Sequence, residues 1–403
     1  MKFSKLSQLL LVSLIGLVVA SLLTACQLVT VDFVYVTDSA SAGSGSAGQI
    51  QIFAVDSQTG ALRLGAPTVP SGGINPVAVT TDALYANLYV ANYGSDNVIH
   101  FSIAGNGVLT KADTLSTTTP PTALAVSENG KYLFVLTGAT SATLTEYALN
   151  SSGTIGAVIA SEPLQVPGYT GDEMVPTAIT VLNDNSAVYA TAYDLSAYNP
   201  GGSVTSTANP GWVFGFGIGS SGALSTTTNS PYEAGIRPQG IVATPVNHYV
   251  YVTDFASNDI VGYQIQSGDV LAYLVNGPFY TANEPNGIAI DPRGTFLYSA
   301  DSLSDAISAY TVSLQNGTLT ALSVASTGSA ATDTYPVGIA VDPALGRFVY
   351  TADELGNTLT GERLNPGDGT LEGTVSSPYP TGFGPTALTI IPHGNHSLEA
   401  VYP

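Results

Sequence analysis

Pro285-Asn-Gly-Ile-Ala-Ile-Asp291, then Phe296-Leu-Tyr-Ser-Ala-Asp301, Ala306-Ile-Ser-Ala-Tyr-Thr-Val312 and Gly317-Thr-Leu-Thr320, spell four short strands in 36 residues. The first run is almost continuously apolar, as a strand covered on both faces must be. The second carries two aromatic residues and ends on an acid, a turn former. The third is mostly apolar, and Gly317 supplies the turn into an edge strand.

Each of these markers recurs seven times. The Pro-x-(Ala/Gly) start stands at Pro76, Pro121, Pro176, Pro238, Pro285, Pro336 and Pro385. Tyr/Phe-rich strands follow at 33–38, 88–92, 132–137, 188–192, 249–254, 296–301 and 348–353. Gly-x-(Leu/Ile/Val) turns stand at Gly60, Gly107, Gly153, Gly222, Gly268, Gly317 and Gly369. Successive prolines lie 45, 55, 62, 47, 51 and 49 residues apart, near the roughly 40–50 residues that one propeller blade needs. The pattern predicts an all-β, seven-bladed β-propeller. The chain enters on a second strand and ends on a first strand, so the C-terminal strand should join the N-terminal blade and close the ring without an open edge.

The propeller is predicted over 33–403. Ahead of it, Lys2 and Lys5 precede an apolar run at 9–23 and the tetrapeptide Leu23-Thr24-Ala25-Cys26. This is the layout of a signal peptide, here 1–25, with small residues before the cleavage point. The tetrapeptide resembles the bacterial lipobox, which implies lipidation of Cys26, a lipid-anchored linker at 26–32 and a place in the cell envelope. Gln27 resembles an outer-membrane sorting signal. Cys26 is the only cysteine, so the mature chain holds no disulfide and no thiolate metal site. Removing 1–25 leaves seven basic against 29 acidic residues, a net charge of −22, which excludes nucleic acid as a partner.

Strand direction assigns residues to faces. First strands start on the face we term upper, and second strands return to it. Asp38, Asn92, Asp254, Asp301 and Asp353 should therefore ring the upper mouth, bonding nearby backbone N–H groups. Lys131, Arg293, Arg347, His248, His393 and His396 fall on the lower face, toward which Cys26 should emerge and which is expected to meet the membrane. His393-x-x-His396 lacks a third ligand at readable spacing and reads as a surface turn; no metal site and no cofactor is expected.

Two long upper loops break the repeat. Residues 193–211 carry Tyr193 and Tyr198 and lead to the only tryptophan, Trp212; residues 161–175 carry Tyr169, Asp172 and Glu173. Long loops on a rigid scaffold commonly bind ligands. Arg237, Gln239, Glu284, Asn286 and Tyr335 flank the Pro markers and should border the central channel.

Tyr35-Val-Thr-Asp38 and Tyr251-Val-Thr-Asp254, with the Gly-x-Leu-Thr turn and Ser230-Pro-Tyr232 and Ser377-Pro-Tyr379, resemble the lactonase family of Tyr-Val-Thr-Asn propellers. That family includes bacterial 6-phosphogluconolactonases. Arg237-Pro-Gln239 is similar to a Pro-Arg-His strand start in that family but lacks the histidine, removing the obvious imidazole base. Gripping a phosphorylated sugar takes several converging Arg or Lys side chains, and only Arg237 is expected at the mouth. The sequence thus points to a lipid-anchored binding or interaction module for a small molecule or envelope protein. The alternative is a hydrolase of unphosphorylated lactones, in which Glu284 or Asp301 activates water and Arg237 or Gln239 steadies the oxyanion.

Overall fold

The computed structural model describes residues 29–43, 45–168, 173–195, 209–323, 330–394 and 396. Cys26, Tyr169, Asp172, Tyr198 and the C-terminal tail lie outside them. Seven antiparallel sheets follow one another around a ring. Blade 1 runs outward from Phe383–Pro392 through Thr30–Ser39 and Ala47–Asp56 to Leu62–Ile74, so the last strand completes the first sheet. Blades 2 to 7 start on Pro76–Thr81, Pro121–Val126, Met174–Val181, Pro238–Ala243, Pro285–Ile290 and Pro336–Val341. In blades 4 to 7 the outer strand is broken into two short pieces, both paired to the third strand.

The Tyr and Gly markers meet in space. Tyr35, Tyr89, Tyr251, Tyr298 and Tyr350 are fully buried, and their hydroxyls donate to the carbonyls of Gly107, Gly153, Gly317, Gly369 and Gly60 in the next blade. Tyr189 makes the equivalent bond to Asp269, next to Gly268. Each tyrosine fills the wedge between blades with its ring and satisfies its hydroxyl on a turn that would otherwise lose a partner. Blade 3 has Phe134 at this position, opposite Glu146 in register. Glu146 is fully buried beside Gly222, and burial lifts its carboxyl to about 7.

In blades 2, 6 and 7 the first-to-second-strand turn is closed by an aspartate at its head. Asp82 accepts from Ala86 and Asn87, Asp291 from Thr295 and Phe296, and Asp342 from Ala344 and Arg347. The C-terminal turn, which follows the first strand of blade 1, is different. His396 is buried rather than part of a surface turn: its Nδ1 lies 2.8 Å from Asp32 Oδ1 and its Nε2 3.8 Å from Asp342 Oδ2. The imidazole ties the C-terminal turn to the first strand and to blade 7. Sequence spacing could not reveal this, because both partners are more than 50 residues away.

Candidate functional site at the upper mouth

The residue x of each Pro-x-(Ala/Gly) marker points into the central channel. Val77, Thr122, Thr177, Gln239, Asn286, Val337 and Thr386 line one cavity of about 580 Å³ together with Tyr93, Tyr193 and Glu354. Proline ends the approach loop, and the following residue alternates inward as strand geometry requires. The ring is polar from blade 3 to blade 6 and apolar at Val337 and Val77.

A second cavity of about 590 Å³ adjoins it on the side of blades 4 to 6, lined by Tyr193, Asn209, Arg237, Phe255, Glu284 and Leu303. Tyr193 belongs to both walls. Arg237, Glu284 and Tyr335, each just before its proline, have φ of 56°, 58° and 61°. Left-handed backbone is uncommon outside glycine, and a following proline disfavours the right-handed helical alternative. A repeated clasp holds them. Glu284 N–H donates to Asn258 Oδ1 and Tyr335 N–H to Asp305 Oδ1, both at 2.8 Å, while Arg237 N–H donates to the Asn209 carbonyl at 3.0 Å. Those three acceptor residues precede a third strand in the preceding blade and are left-handed too. The strain sits where the side chains are presented, as at many ligand sites.

The Arg237 guanidinium carbon lies 4.7 Å from the Phe255 ring centroid and 5.8 Å from that of Tyr193. Its Nε is buried without a hydrogen-bond partner, and no ion pair within 4 Å involves it among the described residues. Burial raises the Tyr335 phenol above its ordinary value, Glu284 and Glu354 raise it further, and Arg237 opposes them. One cation, two carboxylates and a phenol therefore share a local field at the mouth. Burial also holds the Glu354 carboxyl above the ordinary carboxylate range.

Several sequence expectations require correction. Asp301 is not an accessible base: it is fully buried in blade 6, accepting from Ser308 at 2.5 Å and Ser299 at 2.9 Å. The expected acidic ring is likewise internal. Asp353 bonds Thr351 and Thr360, Asn92 bonds Ser71, and Asp38 accepts the backbone N–H of Gly382. Burial raises Asp38 and Asp353 to about 6 and Asp301 to about 7. Trp212 packs in the core between blades 3 and 4, away from both cavities. Glu173 is exposed and lines neither cavity, and Asp172 is outside the described residues. The lower face is not net basic, since Asp82, Glu128, Asp184 and Asp269 share its turns with Lys131 and His248. Of the expected mouth residues, Gln239 and Asn286 line the first cavity, Arg237 and Glu284 the second and Tyr193 both, while Tyr335 lines neither. Glu354 and Phe255 were missed, although each directly follows the acid that ends a second strand, as Tyr93 follows Asn92.

A family model described as Lactonase, 7-bladed beta-propeller, matches residues 27–120, 77–171 and 220–336. No curated protein matches. Among solved structures, a periplasmic gluconolactonase of Pseudomonas aeruginosa is 17% identical with a TM-score of 0.73, covering 90% of this chain and 99% of that one. A putative 6-phosphogluconolactonase of Bacteroides fragilis is 18% identical with a TM-score of 0.69, covering 90% and 98%. At this identity the likeness speaks for the fold.

Proposed function

The chain belongs to the lactonase family of seven-bladed β-propellers, and on that footing we propose that it hydrolyses an unphosphorylated sugar-type lactone at the upper mouth. The observation that carries this reading is the pair of adjoining cavities that share Tyr193, with Glu354 in the wall of the first and Arg237 and Glu284 in the wall of the second. Glu354 acts as general base. A carboxylate with a raised pKa is a stronger base than an ordinary one. It takes a proton from water as the water oxygen attacks the lactone carbonyl carbon. The carbonyl oxygen becomes negative and is met by the unpaired Arg237 guanidinium, preorganised by Phe255 and Tyr193. The ring C–O bond then breaks, Glu354 returns the proton to the departing alkoxide, and an open-chain hydroxy acid leaves. Gln239 and Asn286 offer amides to substrate hydroxyls. Glu284 remains beside Arg237 as the second carboxylate. Arg237 is the one basic residue lining either cavity among the described residues, which disfavours a phosphorylated substrate.

The second reading is binding without turnover, of a small molecule or an envelope protein. It is favoured by the lack of an imidazole in either cavity wall among the described residues. A panel of phosphorylated and unphosphorylated lactones separates the two. Hydrolysis abolished in both E354Q and R237A supports the enzyme; ligand affinity without turnover in the native protein supports the binder. The lipobox reading places the protein in the cell envelope through acylated Cys26, on the outer membrane as Gln27 suggests. The intact mass of the processed chain tests the acylation.

A further inference from the structure

A groove of about 740 Å³ opens on the lower face at the seam of blades 7 and 1, lined by Ser57, Gln58, Arg347, Arg363, Pro366 and Glu372 among others. Arg347 and Arg363 stand side by side there. Arg363 is the register partner of Phe348, and Leu364 N–H donates to the Arg347 carbonyl at 2.7 Å. Both side chains are exposed, and neither has a carboxylate within 4 Å among the described residues. Elsewhere on this face, Arg293 is neutralised by Asp291 at 3.4 Å and tied to the Leu345 carbonyl.

The groove also marks where the chain leaves the propeller. Ser57, in its wall, donates its N–H to the Val29 carbonyl at 2.9 Å, and Arg63 reaches Thr30 Oγ1 at 2.7 Å. Cys26 precedes Val29 by three residues, a reach of at most about 11 Å. An acyl chain on Cys26 would therefore bring this groove close to the lipid headgroups.

We propose that the Arg347–Arg363 groove seats the phosphodiester headgroup of an anionic phospholipid, holding the propeller lower face down on the bilayer. The proposal rests on acylation of Cys26. Guanidinium forks match phosphate oxygens in geometry and charge, and Glu372, the register partner of Arg363, is the one carboxylate in the groove wall among the described residues. Docked in this way, the upper mouth faces away from the bilayer and receives soluble ligand.

The test uses the full processed chain, acylated and reconstituted in phosphatidylcholine vesicles with or without phosphatidylglycerol. Acylation leaves no free native thiol, so Gln315→Cys, exposed on the lower turn of blade 6, carries a fluorophore as the only reactive cysteine. Quenching by a nitroxide-headgroup lipid should be strong with phosphatidylglycerol. In R347E/R363E it should fall to the level seen in neutral vesicles, and likewise in salt that shortens the Debye length to about 4 Å. Lys111→Glu, on the outer strand of blade 2, should leave it intact. Equal quenching in neutral and anionic vesicles, or an unaffected double variant, overturns the proposal. So does loss of quenching in millimolar inorganic phosphate, which would make the groove a soluble-anion site. Failure of acylation shows separately, in the mass of the processed chain.

Discussion

The Tyr350 hydroxyl, in the last blade, donates to the Gly60 carbonyl, in the first, across 2.6 Å and 290 residues of sequence. It is the same bond that joins blades 1 to 2, 2 to 3, 5 to 6 and 6 to 7. The ring therefore closes with an ordinary inter-blade contact, to which His396 is added on the lower face.

Tyr350→Phe keeps the ring and strands the Gly60 carbonyl. An unmade buried bond of this kind costs roughly 1–3 kcal/mol. Denaturant titration should show that loss, and the same change at Tyr298 should cost a similar amount.

His396→Ala removes the only cation bonded to Asp32 and leaves that carboxylate buried at the seam. Breaking a buried pair from one side typically costs about 3–5 kcal/mol. Adding Asp32→Asn to the same chain should recover part of the loss. Additive effects of the two changes, measured by thermal or urea unfolding, would contradict a direct pair.

Stability should decline as pH rises from 4 to 8. Burial raises Asp38, Asp301 and Asp353 from 3.8 to about 6, 7 and 6. Their contribution is fully present below the unfolded value and is lost as pH climbs through the folded one. His396, raised to about 9 mainly by its bond to Asp32 against burial, adds a loss at higher pH; Asp56, lowered by its Thr59 bonds against burial, works the opposite way at acid pH. Melting curves across this range should show the decline, and Asp301→Asn should flatten it between pH 5 and 7.

Glu284→Gly relieves left-handed backbone, worth roughly 1 kcal/mol after the extra freedom glycine adds to the unfolded chain. The variant should unfold later than the native protein while losing ligand affinity. A destabilised variant would mean the Glu284 side chain, not its backbone, secures the rim.

Glu354→Gln should lower lactone turnover by a factor of about 10²–10⁴, the usual range for losing a general base. The native rate should rise with pH through a midpoint above the ordinary carboxylate range, and this limb should vanish in the variant. Unchanged thermal stability would separate chemistry from folding.

The fold was legible because each repeat states its local needs: a proline at a strand start, an acid or Asn at a strand end, a glycine in a turn. Channel lining was legible for the same reason, since strand alternation carries Gln239 and Asn286 inward once the Pro marker is placed. One residue made the difference at Asp353-Glu354. The first side chain turns into its blade and the second toward the channel, so reading the strand-end acids as the mouth selected the wrong member of each pair. Trp212 misled in a similar way, because a lone tryptophan after a long loop looks like a binding residue until its core neighbours are known.

By itself, the sequence determined the number of blades, the closure by the last strand, the two faces and the scarcity of cations, all properties of short-range pattern and composition. Only the tertiary structure decided that Arg237 and Glu284 line one cavity, that Asp301 is sealed in its blade, and that Arg347 and Arg363 share a groove with the chain's point of departure. Those facts depend on side chains brought together from different blades, and the desolvation and fields that set their chemistry arise only when the ring is closed.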